Sequence, residues 1–449
     1  MHLLHLDPQA RDRLASFQGR RVGVVGLGRE GVDLVQFLSR CGALITVSDH
    51  AGPETLVDAL KSIEGLADRY LIGTQAGADL LDCHEIFVSP GVPPEAAVVA
   101  EPRKAGLPVS SATRLFFELC PGRIVGITGS SGKTTTTSLV GTILEEAGVP
   151  AAVGGNIGTP MLGRLAEVTA DTWCVLELSS FQLADVERSP QIAAVLNITP
   201  NHLDRHPDMD DYIRAKSNVL RYQRLEDTAV VNADDPIAHG LPHRSSRLEF
   251  SLVRRVEGGW FDGGFLWLSG DASPLLHRQE LQLRGHHNVA NALAAAIMAR
   301  VIGCETEAIR VAIRRFRPVP HRLEVVDTID GITYINDSIA TSPERSVAAL
   351  RAVEEPVVLI AGGRDKHLPM EEWARMIRER ARAVVLVGEA APLIQSALES
   401  AGAEVPIETA RRFTETVEIA RGLACPGDVV LLAPGCTSFD EFRDYEARG

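Results

Sequence analysis

Short, continuous runs of Val, Ile, Leu and Ala recur along the whole chain, and most of them end in a turn with Gly or Asp followed by a helix-like stretch. RVGVVGLG, RIVGITG and PVVLIAGG are examples from successive parts of the sequence. A strand that is apolar on both faces fits a parallel sheet covered by helices on both sides, because a half-exposed strand alternates apolar and polar residues. The pattern therefore predicts an α/β fold throughout.

Two breaks divide this pattern. A helix predicted around 111–119 runs into Cys-Pro-Gly at 120–122 directly before a new strand, and the prolines of FRPVP at 316–320 interrupt any helix. A length of 449 residues fits about three domains. We predict domains at 1–120, 121–320 and 321–449, with a β-meander inserted in the second domain near 251–284.

The charge and the cysteines limit the function classes. A formal net charge of −14 argues against a nucleic-acid-binding protein that works through a broad basic face, but it does not exclude an anionic small substrate. The seven cysteines are scattered and never form CxxC, which is typical of reduced thiols in the cytoplasm. We find neither a signal peptide nor an apolar run of about 18 residues, so we expect a soluble, cytoplasmic protein with no membrane partner.

The segment 124–137, IVGITGSSGKTTTT, contains the strongest local motif. A predicted strand enters a loop with Gly129 and Gly132, and Lys133 begins a helix. Glycines allow backbone N–H groups to surround phosphate oxygens, and the helix N-terminus favours negative charge. We therefore expect Lys133 to reach the β- and γ-phosphates of a nucleotide and the Thr134 hydroxyl to bind Mg²⁺. The alternative is a glycine-rich turn with an incidental lysine, which the order strand, Gly-Lys-Thr, helix disfavours.

A second glycine motif, GLGREG at 26–31, follows the first predicted strand, and Asp49 ends the second strand. This arrangement is typical of a dinucleotide-binding fold, in which a diphosphate lies at the first strand-to-helix turn. The motif alone does not specify the nucleotide. The alternative is close packing of a helix against a strand with no ligand.

Three further segments of the middle domain carry side chains suited to metal binding. Glu177 lies in VLELSSFQ, His202 and Asp204 lie in NITPNHLDRH, and Lys216 lies in DYIRAK. Ligands of open α/β sheets gather at the carboxyl ends of strands, so we expect Glu177 and His202 to face the phosphate loop. A carboxylate, an imidazole and a Thr hydroxyl would suit Mg²⁺. The alternatives are a strand-end acid paired with a lysine, a loop histidine and, for Lys216, a solvated helix lysine.

With these residues in place, the chain resembles the Mur ligase family. The matching segments extend from end to end: GLGREG, SPGVPP, TGSSGKTTTT, GGNIG, LELSSFQL, NITPNHLDRH, DYIRAKSNV, NADDP, GHHNVANALAA, RPVPHRLE, INDSIATSP, GGRDKH and LAPGCTSFDEFRDYEARG. The resemblance implies a Rossmann-like domain for a UDP substrate, a central P-loop ATPase-like domain and a C-terminal Rossmann-like domain for glutamate. LELSSFQL and the GCTSFDEF-type ending resemble the members that add glutamate rather than alanine, diamino acids or a dipeptide.

The implied activity is the ATP-dependent ligation of D-glutamate to UDP-N-acetylmuramoyl-L-alanine in cytoplasmic peptidoglycan synthesis. ATP would phosphorylate the substrate carboxylate, and the amine of glutamate would attack the resulting acyl phosphate. The implied cofactors are ATP and two Mg²⁺ ions, with CO₂ converting Lys216 into a carbamate that binds the second ion.

The resemblance also implies roles for individual residues. Lys133, His202 and Lys216 would be catalytic, and the metal ligands would be Thr134, Glu177, His202 and carbamylated Lys216. The ATP-binding residues would be Gly129, Ser130, Ser131, Gly132, Lys133, Thr134, Thr135, Asn288, Asn291, Arg322 and Asp337. Gly28, Asp49, Ser89 and Asn156 would bind the UDP substrate, and Thr341, Lys366, Ser438 and Tyr445 would bind glutamate.

Other activities remain open at this point. A muramyl ligase specific for L-glutamate would carry the same motifs, because stereochemistry depends on the shape of the pocket. A folylpolyglutamate synthetase is disfavoured by the complete N-terminal glycine-motif domain, and a non-catalytic nucleotide-binding module by the retained metal-binding set. Some relatives carry a lysine where Ile339 stands, so a cationic contact is missing or replaced. We expect a monomer that binds small-molecule substrates.

Overall fold

Three sheets organise the chain in the computed structural model, which describes residues 7–74, 76–156, 160–201, 205–283, 285–317, 320–353, 355–366 and 368–449. The α/β fold predicted from the apolar runs is confirmed. The chain divides into two compact units, Met1–Arg278 with Ala290–Arg314 and Gln279–Val289 with Arg315–Gly449. The domain boundaries near 120 and 320 remain predictions, and Pro318 and Val319 of the second boundary lie outside the described residues.

The first sheet has five parallel strands in the order β3-β2-β1-β4-β5. The strands are β1 Arg21–Val25, β2 Leu44–Asp49, β3 Arg69–Ile72, β4 Glu85–Val88 and β5 Val109–Ser110. The helices are α1 Pro8–Ala15, α2 Arg29–Arg40, α3 Val57–Ser62, α4 Ala97–Lys104 and α5 Ala112–Leu119, with a short 3₁₀ turn at Gly77–Leu80. The Ser111 hydroxyl caps α5 by accepting from the backbone N–H of Arg114.

The second sheet has nine strands in the order β14-β13-β12-β11-β10-β9-β6-β8-β7. They are β6 Arg123–Thr128, β7 Ala151–Gly155, β8 Trp173–Glu177, β9 Ile192–Val195, β10 Thr228–Asn232, β11 Ser246–Ser251, β12 Gly258–Asp262, β13 Phe265–Leu268 and β14 Leu276–His277. The helices are α6 Lys133–Glu146, α7 Ser180–Leu183, α8 Met209–Arg221, α9 Pro236–Gly240, α10 His286–Ile302 and α11 Thr306–Arg315, with 3₁₀ turns at Leu165–Glu167 and Arg278–Glu280.

The segment predicted as a β-meander continues this second sheet. Strands β12, β13 and β14 are antiparallel, but β12 pairs in parallel with β11 and so extends the edge of the parallel region. Trp260 and Trp267 face each other across β12 and β13 with parallel rings 6.1 Å apart. Such a cross-strand aromatic pair stabilises the hairpin register.

The third sheet, in the order β15-β16-β20-β17-β18-β19, is parallel except for its antiparallel edge strand β15. Its strands are β15 Glu324–Ile329, β16 Ile332–Asn336, β17 Val357–Gly362, β18 Ala381–Val387, β19 Ile407–Thr409 and β20 Val429–Gly435. The helices are α12 Pro343–Ala352, α13 Glu371–Arg380, α14 Ala391–Ser400, α15 Thr416–Leu423 and α16 Tyr445–Arg448, with a 3₁₀ turn at Phe413–Glu415.

The packing of β17 shows why its sequence is apolar without alternation. Val357 and Leu359 belong to the hydrophobic core on one face of the third sheet, and Val358 and Ile360 belong to the core on the other face. Each such side chain stabilises the fold by about 1.5–3 kcal/mol through its burial. Since both faces are covered, a polar residue at any of these positions would lose that contribution.

Candidate active site

The loop between β6 and α6 lies at the carboxyl end of a central strand. Gly132, at the N-cap of α6, has φ of 82°, a left-handed conformation that favours glycine. A Cβ at this position would also lie 2.4 Å from Oδ1 of Asn291 in α10. The close approach places Asn291, predicted to contact ATP, directly against the phosphate loop. Thr135, from the same motif, is buried in the first turn of α6.

Asn197, which sequence reasoning gave no role, holds the loop in shape. Its side-chain Oδ1 accepts from the backbone N–H of Ser131 at 2.9 Å, and its Nδ2 donates to the Ser131 carbonyl at 3.1 Å. Its own carbonyl accepts from the N–H of Ser130 at 2.9 Å. The NITP segment after β9 therefore fixes the phosphate loop. The signal in the sequence is a strand-end asparagine beside a glycine-rich loop.

Thr134, Glu177 and Asn156 form a hydrogen-bonded polar group beside this loop, in which Thr134 and Glu177 are buried and Asn156 is exposed. The Thr134 hydroxyl donates to Oε2 of Glu177 at 2.8 Å, and Nδ2 of Asn156 donates to Oε1 at 3.0 Å. Glu177 ends β8, the neighbour of β6, so both carboxyl ends meet at one edge of the sheet. The structure thus brings two predicted metal ligands together, and Asn156 contacts one of them, Glu177.

Lys216 is buried at the same place, with 1% of its surface exposed. Its Nζ donates to the Gly129 carbonyl at 2.8 Å and to Oγ1 of Thr128 at 3.3 Å. Burial lowers the pKa of Lys216 well below its ordinary value, and the charge of Lys133 lowers it further, whereas Glu177 opposes the shift. The alternative of a solvated helix lysine is therefore wrong. The site therefore shifts the protonation equilibrium of Lys216 toward the neutral amine.

The Lys133 ammonium lies over its own loop. Its Nζ donates to the carbonyls of Gly129 at 2.9 Å and Ser130 at 3.2 Å. This geometry keeps a positive charge where the glycine motif would hold phosphate oxygens.

His202 and Asp204 lie outside the described residues, so the predicted histidine ligand has no described position. A second histidine of the same motif, His206, is buried at the junction of α7 and α8. Its Nδ1 lies 2.6 Å from Oδ2 of Asp211, and its Nε2 lies 2.9 Å from Oγ of Ser180. His206 also stacks on Phe181 with ring centroids 5.1 Å apart. The network connects the start of α7, just after Glu177, to the helix that carries Lys216.

The donor set fits magnesium bound together with phosphate. Within the described ranges, no group of three His, Cys, Asp or Glu side chains is arranged to hold a metal ion. Mg²⁺, however, is commonly held by one or two protein groups together with substrate phosphates and waters. The carboxylate of Glu177 and the hydroxyl of Thr134 meet that need beside the loop.

A cavity of about 370 Å³ opens at the first strand-to-helix turn. Gly28, Asp49, Ser89 and Asn156, the four residues predicted for the UDP substrate, all lie in its wall. Oδ2 of Asp49 accepts from the N–H of Leu27 at 2.7 Å, which holds the glycine loop in place. The cavity is large enough for a small-molecule ligand.

The glycine motif also serves close packing. A Cβ on Gly31 would lie 1.9 Å from the Gly26 carbonyl oxygen, so α2 could not approach β1 as closely with any other residue there. Ser89 donates from its hydroxyl to that same carbonyl at 2.8 Å. The glycine motif therefore both allows α2 to pack closely against β1 and lines a cavity. The ligand-binding interpretation and the packing interpretation of the motif are compatible.

Glu30, in the first turn of α2, also lines the cavity. Its Oε1 accepts from Nε2 of Gln182 at 2.5 Å. The pKa of Glu30 is raised to about 7, chiefly by burial and also by the nearby Asp33, whereas the hydrogen bond from Gln182 opposes the shift. Gln182 belongs to a capping box with Ser179, two residues beyond Glu177. Sequence reasoning missed this link, because Glu30 stands at a variable position of the glycine motif.

The residues predicted for glutamate lie in the second unit. Nζ of Lys366 donates to Oγ1 of Thr341 at 3.3 Å, so these two are in contact. Ser438 is buried, and Tyr445 begins α16 with its carbonyl accepting from the Ser338 hydroxyl at 2.8 Å. The structure thus pairs Thr341 with Lys366 and anchors Tyr445 separately.

The remaining predicted nucleotide contacts also lie in the second unit. Asp337 is buried, and its Oδ1 accepts from the N–H of Leu323 at 2.9 Å. Burial raises the pKa of Asp337 to about 6, while Arg322 and Arg345 lower it. Asn288, in the first turn of α10, is buried as well. None of the described helices is long and apolar enough to cross a membrane.

Three family models match successive parts of the chain. They are described as Mur ligase MurD-like, N-terminal domain at residues 20–111, Mur ligase middle domain at 127–299, and Mur ligase, glutamate ligase domain at 321–436. Together they span the regions of all three sheets.

Two relatives carry the name UDP-N-acetylmuramoylalanine--D-glutamate ligase. The protein from Symbiobacterium thermophilum is 38% identical over 436 residues, covering 96% of each chain. The protein from Acidobacterium capsulatum is 42% identical over 443 residues, covering 96% of this chain and 95% of its own. The similarity is therefore not confined to the phosphate loop.

Solved structures show the same fold at lower identity. The UDP-N-acetylmuramate-alanine ligase MurC from Thermotoga maritima matches with a TM-score of 0.61 and 17% identity, over 93% of this chain and 96% of its own. A pseudomurein peptide ligase type C from Methanothermus fervidus matches with a TM-score of 0.57 and 17% identity, over 93% and 97% respectively.

Proposed function

This chain belongs to the Mur ligase family, and we propose that it uses ATP to join D-glutamate to UDP-N-acetylmuramoyl-L-alanine in peptidoglycan synthesis. One observation carries the proposal: a phosphate loop, a strand-end carboxylate and a buried lysine converge in a chain that is similar to D-glutamate ligases over nearly its whole length. A non-catalytic nucleotide-binding module would have no need for the buried lysine.

The chemistry explains the need for ATP. A carboxylate resists attack by an amine, because it is anionic and has no good leaving group. Transfer of the γ-phosphoryl group from ATP to the alanyl carboxylate breaks the bond between the β- and γ-phosphates and gives an acyl phosphate and ADP. The amine of glutamate then attacks that carbonyl, and phosphate leaves. Phosphoryl transfer depends mainly on positioning and on charge stabilisation, which the residues at the loop can supply.

Lys133 and the loop residues would bind and orient the ATP phosphates. The ammonium of Lys133 offsets the negative charge on the transferred group, and the loop would hold its oxygens through backbone N–H groups other than those of Ser130 and Ser131, which donate to Asn197. Mg²⁺, when bound, supplies further positive charge to the phosphoryl oxygens. Thr134 and Glu177 would hold this ion, and His202 stays a predicted ligand. A second Mg²⁺ is also part of the proposal.

Lys216 would act as a carbamate. An uncharged amine can add to CO₂, whereas an ammonium cannot, and the lowered pKa of Lys216 favours the reactive form. The product is an anionic oxygen ligand on a residue beside Gly129 and Thr128. That ligand would bind the second magnesium ion and place a negative charge near the Lys133 ammonium.

The remaining predicted residues would bind the two co-substrates. The cavity wall at Gly28, Asp49, Ser89 and Asn156 supports a site for the UDP substrate. The contact between Thr341 and Lys366 supports a site for a glutamate carboxylate, with Ser438 and Tyr445 as further candidates. Action in the cytoplasm and a monomeric state stay predictions, and the seven free thiols fit the former.

A phosphate-release assay tests the proposal. Purified protein receives ATP, Mg²⁺, UDP-N-acetylmuramoyl-L-alanine and either D- or L-glutamate, and each component is omitted in turn. We expect sustained phosphate release only with all four and with the D-isomer. Turnover with L-glutamate instead would favour the alternative muramyl ligase. Turnover with a folate acceptor and no UDP substrate would favour a folylpolyglutamate synthetase.

A further inference from the structure

Two cysteine thiols that the ligation does not use lie side by side at the junction of the first and second sheets. Sγ of Cys120 is 3.6 Å from Sγ of Cys174. Cys120 follows directly after α5, and Cys174 is the second residue of β8. Both are free thiols in this structure. Sequence reasoning treated the cysteines as scattered, because the two are distant along the chain.

The backbone, rather than a chance side-chain conformation, holds the thiols together. A Cβ on Gly122 would lie 2.5 Å from the Thr172 carbonyl oxygen, so the segment after α5 packs tightly against the start of β8. The N–H of Arg123 donates to the same carbonyl at 3.0 Å. A disulfide has an S–S length of about 2.05 Å, so the two sulfurs must approach by roughly 1.5 Å for the bond to form.

The two thiols differ in reactivity. Cys120 is half-buried, whereas Cys174 is fully buried. The hydrogen bond with Cys174 lowers the pKa of Cys120, although burial opposes the shift. The same hydrogen bond and burial raise the pKa of Cys174. Since the thiolate is the nucleophile and Cys120 is the more exposed of the two thiols, we expect an oxidant to react first with Cys120.

We propose that Cys120 and Cys174 are a reversible redox modification site, at which a peroxide-class oxidant forms a disulfide. The Cys120 thiolate attacks one peroxide oxygen, the O–O bond breaks, and hydroxide leaves, giving a sulfenic acid at Cys120. The Cys174 sulfur then attacks the Cys120 sulfur, the S–O bond breaks, and the Cys174 proton leaves with the oxygen as water. The thiols lose two electrons, which the peroxide gains, and a dithiol reductant returns them.

The disulfide would fasten the predicted boundary at 120–121 to β8, the strand that ends at Glu177. It would close a chain loop that contains the whole phosphate-loop motif. Because closing a long loop restricts the unfolded chain, the oxidised protein should be more stable than the reduced protein. The proposal does not depend on the ligase assignment, since neither thiol is a predicted ligand of substrate or metal.

Titration with hydrogen peroxide tests the site on the full chain. Reduced protein is treated with about one equivalent of peroxide, and free thiols are then alkylated without reduction and mapped by mass spectrometry. We expect the thiol count to fall from the seven of the sequence to five. A peptide linking Cys120 to Cys174 should appear with a mass loss of about 2 Da. The melting temperature should rise by roughly 5 °C or more and return after dithiothreitol.

Matched variants separate this pair from general cysteine oxidation. Cys41 is also half-buried but its pKa is raised to about 11 by burial, so Cys41→Ser should leave the linked peptide unchanged. Cys120→Ser should abolish it, and Cys120→Ala serves if the serine variant does not fold. Retention of seven thiols, oxidation elsewhere first, or a Cys120 sulfinic acid without a cross-link would each overturn the proposal.

Discussion

Lys133 is the residue on which the ATP site most depends. Its ammonium lies over the carbonyls of Gly129 and Ser130, where the phosphates would bring negative charge. We predict that Lys133→Ala lowers kcat/KM for ligation by roughly 10²–10³-fold, the usual cost of removing one preorganised charge-stabilising group. Phosphate release with all substrates present measures this. Lys104→Ala, at an exposed lysine of α4, is the matched control and should keep wild-type activity.

Lys216 differs from Lys133 because its proposed role needs a carboxylate-like group and not a positive charge. Lys216→Ala should be nearly inactive, and millimolar acetate or propionate should restore part of the activity by replacing the missing oxygen ligand. The measurement is phosphate release against carboxylate concentration. Lys133→Ala should show no such rescue. A folded Lys216→Ala protein with wild-type activity would remove the carbamate from the mechanism.

Glu30 should make the stability of the fold depend on pH, and its burial determines the direction of that dependence. Its folded-state pKa of about 7 lies above the ordinary value of 4.5, so the folded protein holds the proton more tightly than the unfolded chain. The associated stability is complete below pH 4.5 and is lost as the pH rises through about 7. Between pH 5 and 8, the free energy of unfolding of the wild type should fall by roughly 2–3 kcal/mol more than that of Glu30→Gln.

Thermal unfolding at a series of pH values measures the Glu30 effect. Glu30→Gln removes the titration while keeping an oxygen for Gln182. Glu64→Gln, at an exposed position, should leave the pH profile unchanged. Parallel profiles for wild type and Glu30→Gln would contradict the prediction.

At the scale of single residues, the sequence predicts some contacts within the candidate site but not others. The contact between Thr134 and Glu177 follows from two adjacent strands that end at one edge, which motif order can indicate. The charge of Lys216 suggests an exposed side chain, but the structure shows that Lys216 is buried. Tyr212 and Leu220 lie one helical turn before and after it on the buried face of α8, a spacing that signals burial. The role of Asn197 could be recognised only from the fold, because Ser131, its hydrogen-bond partner, lies far away in the chain.

Among the secondary-structure elements, α7 and α8 are joined by His206. His206→Phe would keep the stacking on Phe181 but leave Ser180 and Asp211 without this partner. We expect a loss of about 1–3 kcal/mol of stability. Because α8 carries Lys216, we also expect a higher Mg²⁺ concentration for half-maximal ligation. Thermal unfolding and Mg²⁺ titration measure the two effects. His84→Phe, at an exposed histidine whose Nδ1 accepts from the Arg21 N–H, should leave the Mg²⁺ response unchanged, and an unchanged response in His206→Phe would limit His206 to a structural role.

The existence of most strands could be predicted because each is a short apolar run, but their partners could not. The hairpin of β12 and β13 was recognisable from its Gly-Gly turn and alternation. Its parallel pairing with β11 was not, because that register depends on side chains of two separate segments. The position of β20 could not be predicted either, because β20 lies between β16 and β17 in the sheet although it is the last strand along the chain.

For the whole molecule, the predicted substrate residues are distributed over both units. Lys133 belongs to the first unit, whereas Thr341 and Lys366 belong to the second. Ligation requires the amine of glutamate within roughly 3–3.5 Å of the acyl carbonyl. We therefore predict that an ATP analogue and the UDP substrate together reduce the radius of gyration in solution. Small-angle scattering at saturating ligand measures it. Identical profiles with and without ligands would mean that binding causes no closure.

Helix α10 belongs partly to each of the two units, and this limits where the chain can be divided into fragments. Its first residues, up to Val289, belong to the second unit, while the rest, from Ala290, belongs to the first. Just before it, a Cβ on Gly285 would meet Ala352 at 3.4 Å, within the second unit. A fragment cut at the proline-rich boundary near 320 would therefore keep its sequence motifs but lose the packing partner of this segment. We expect that the part of the chain with the predicted glutamate-binding residues cannot be exchanged between relatives at that point, and that a chimera should carry residues 279–289 from the same parent as the third sheet.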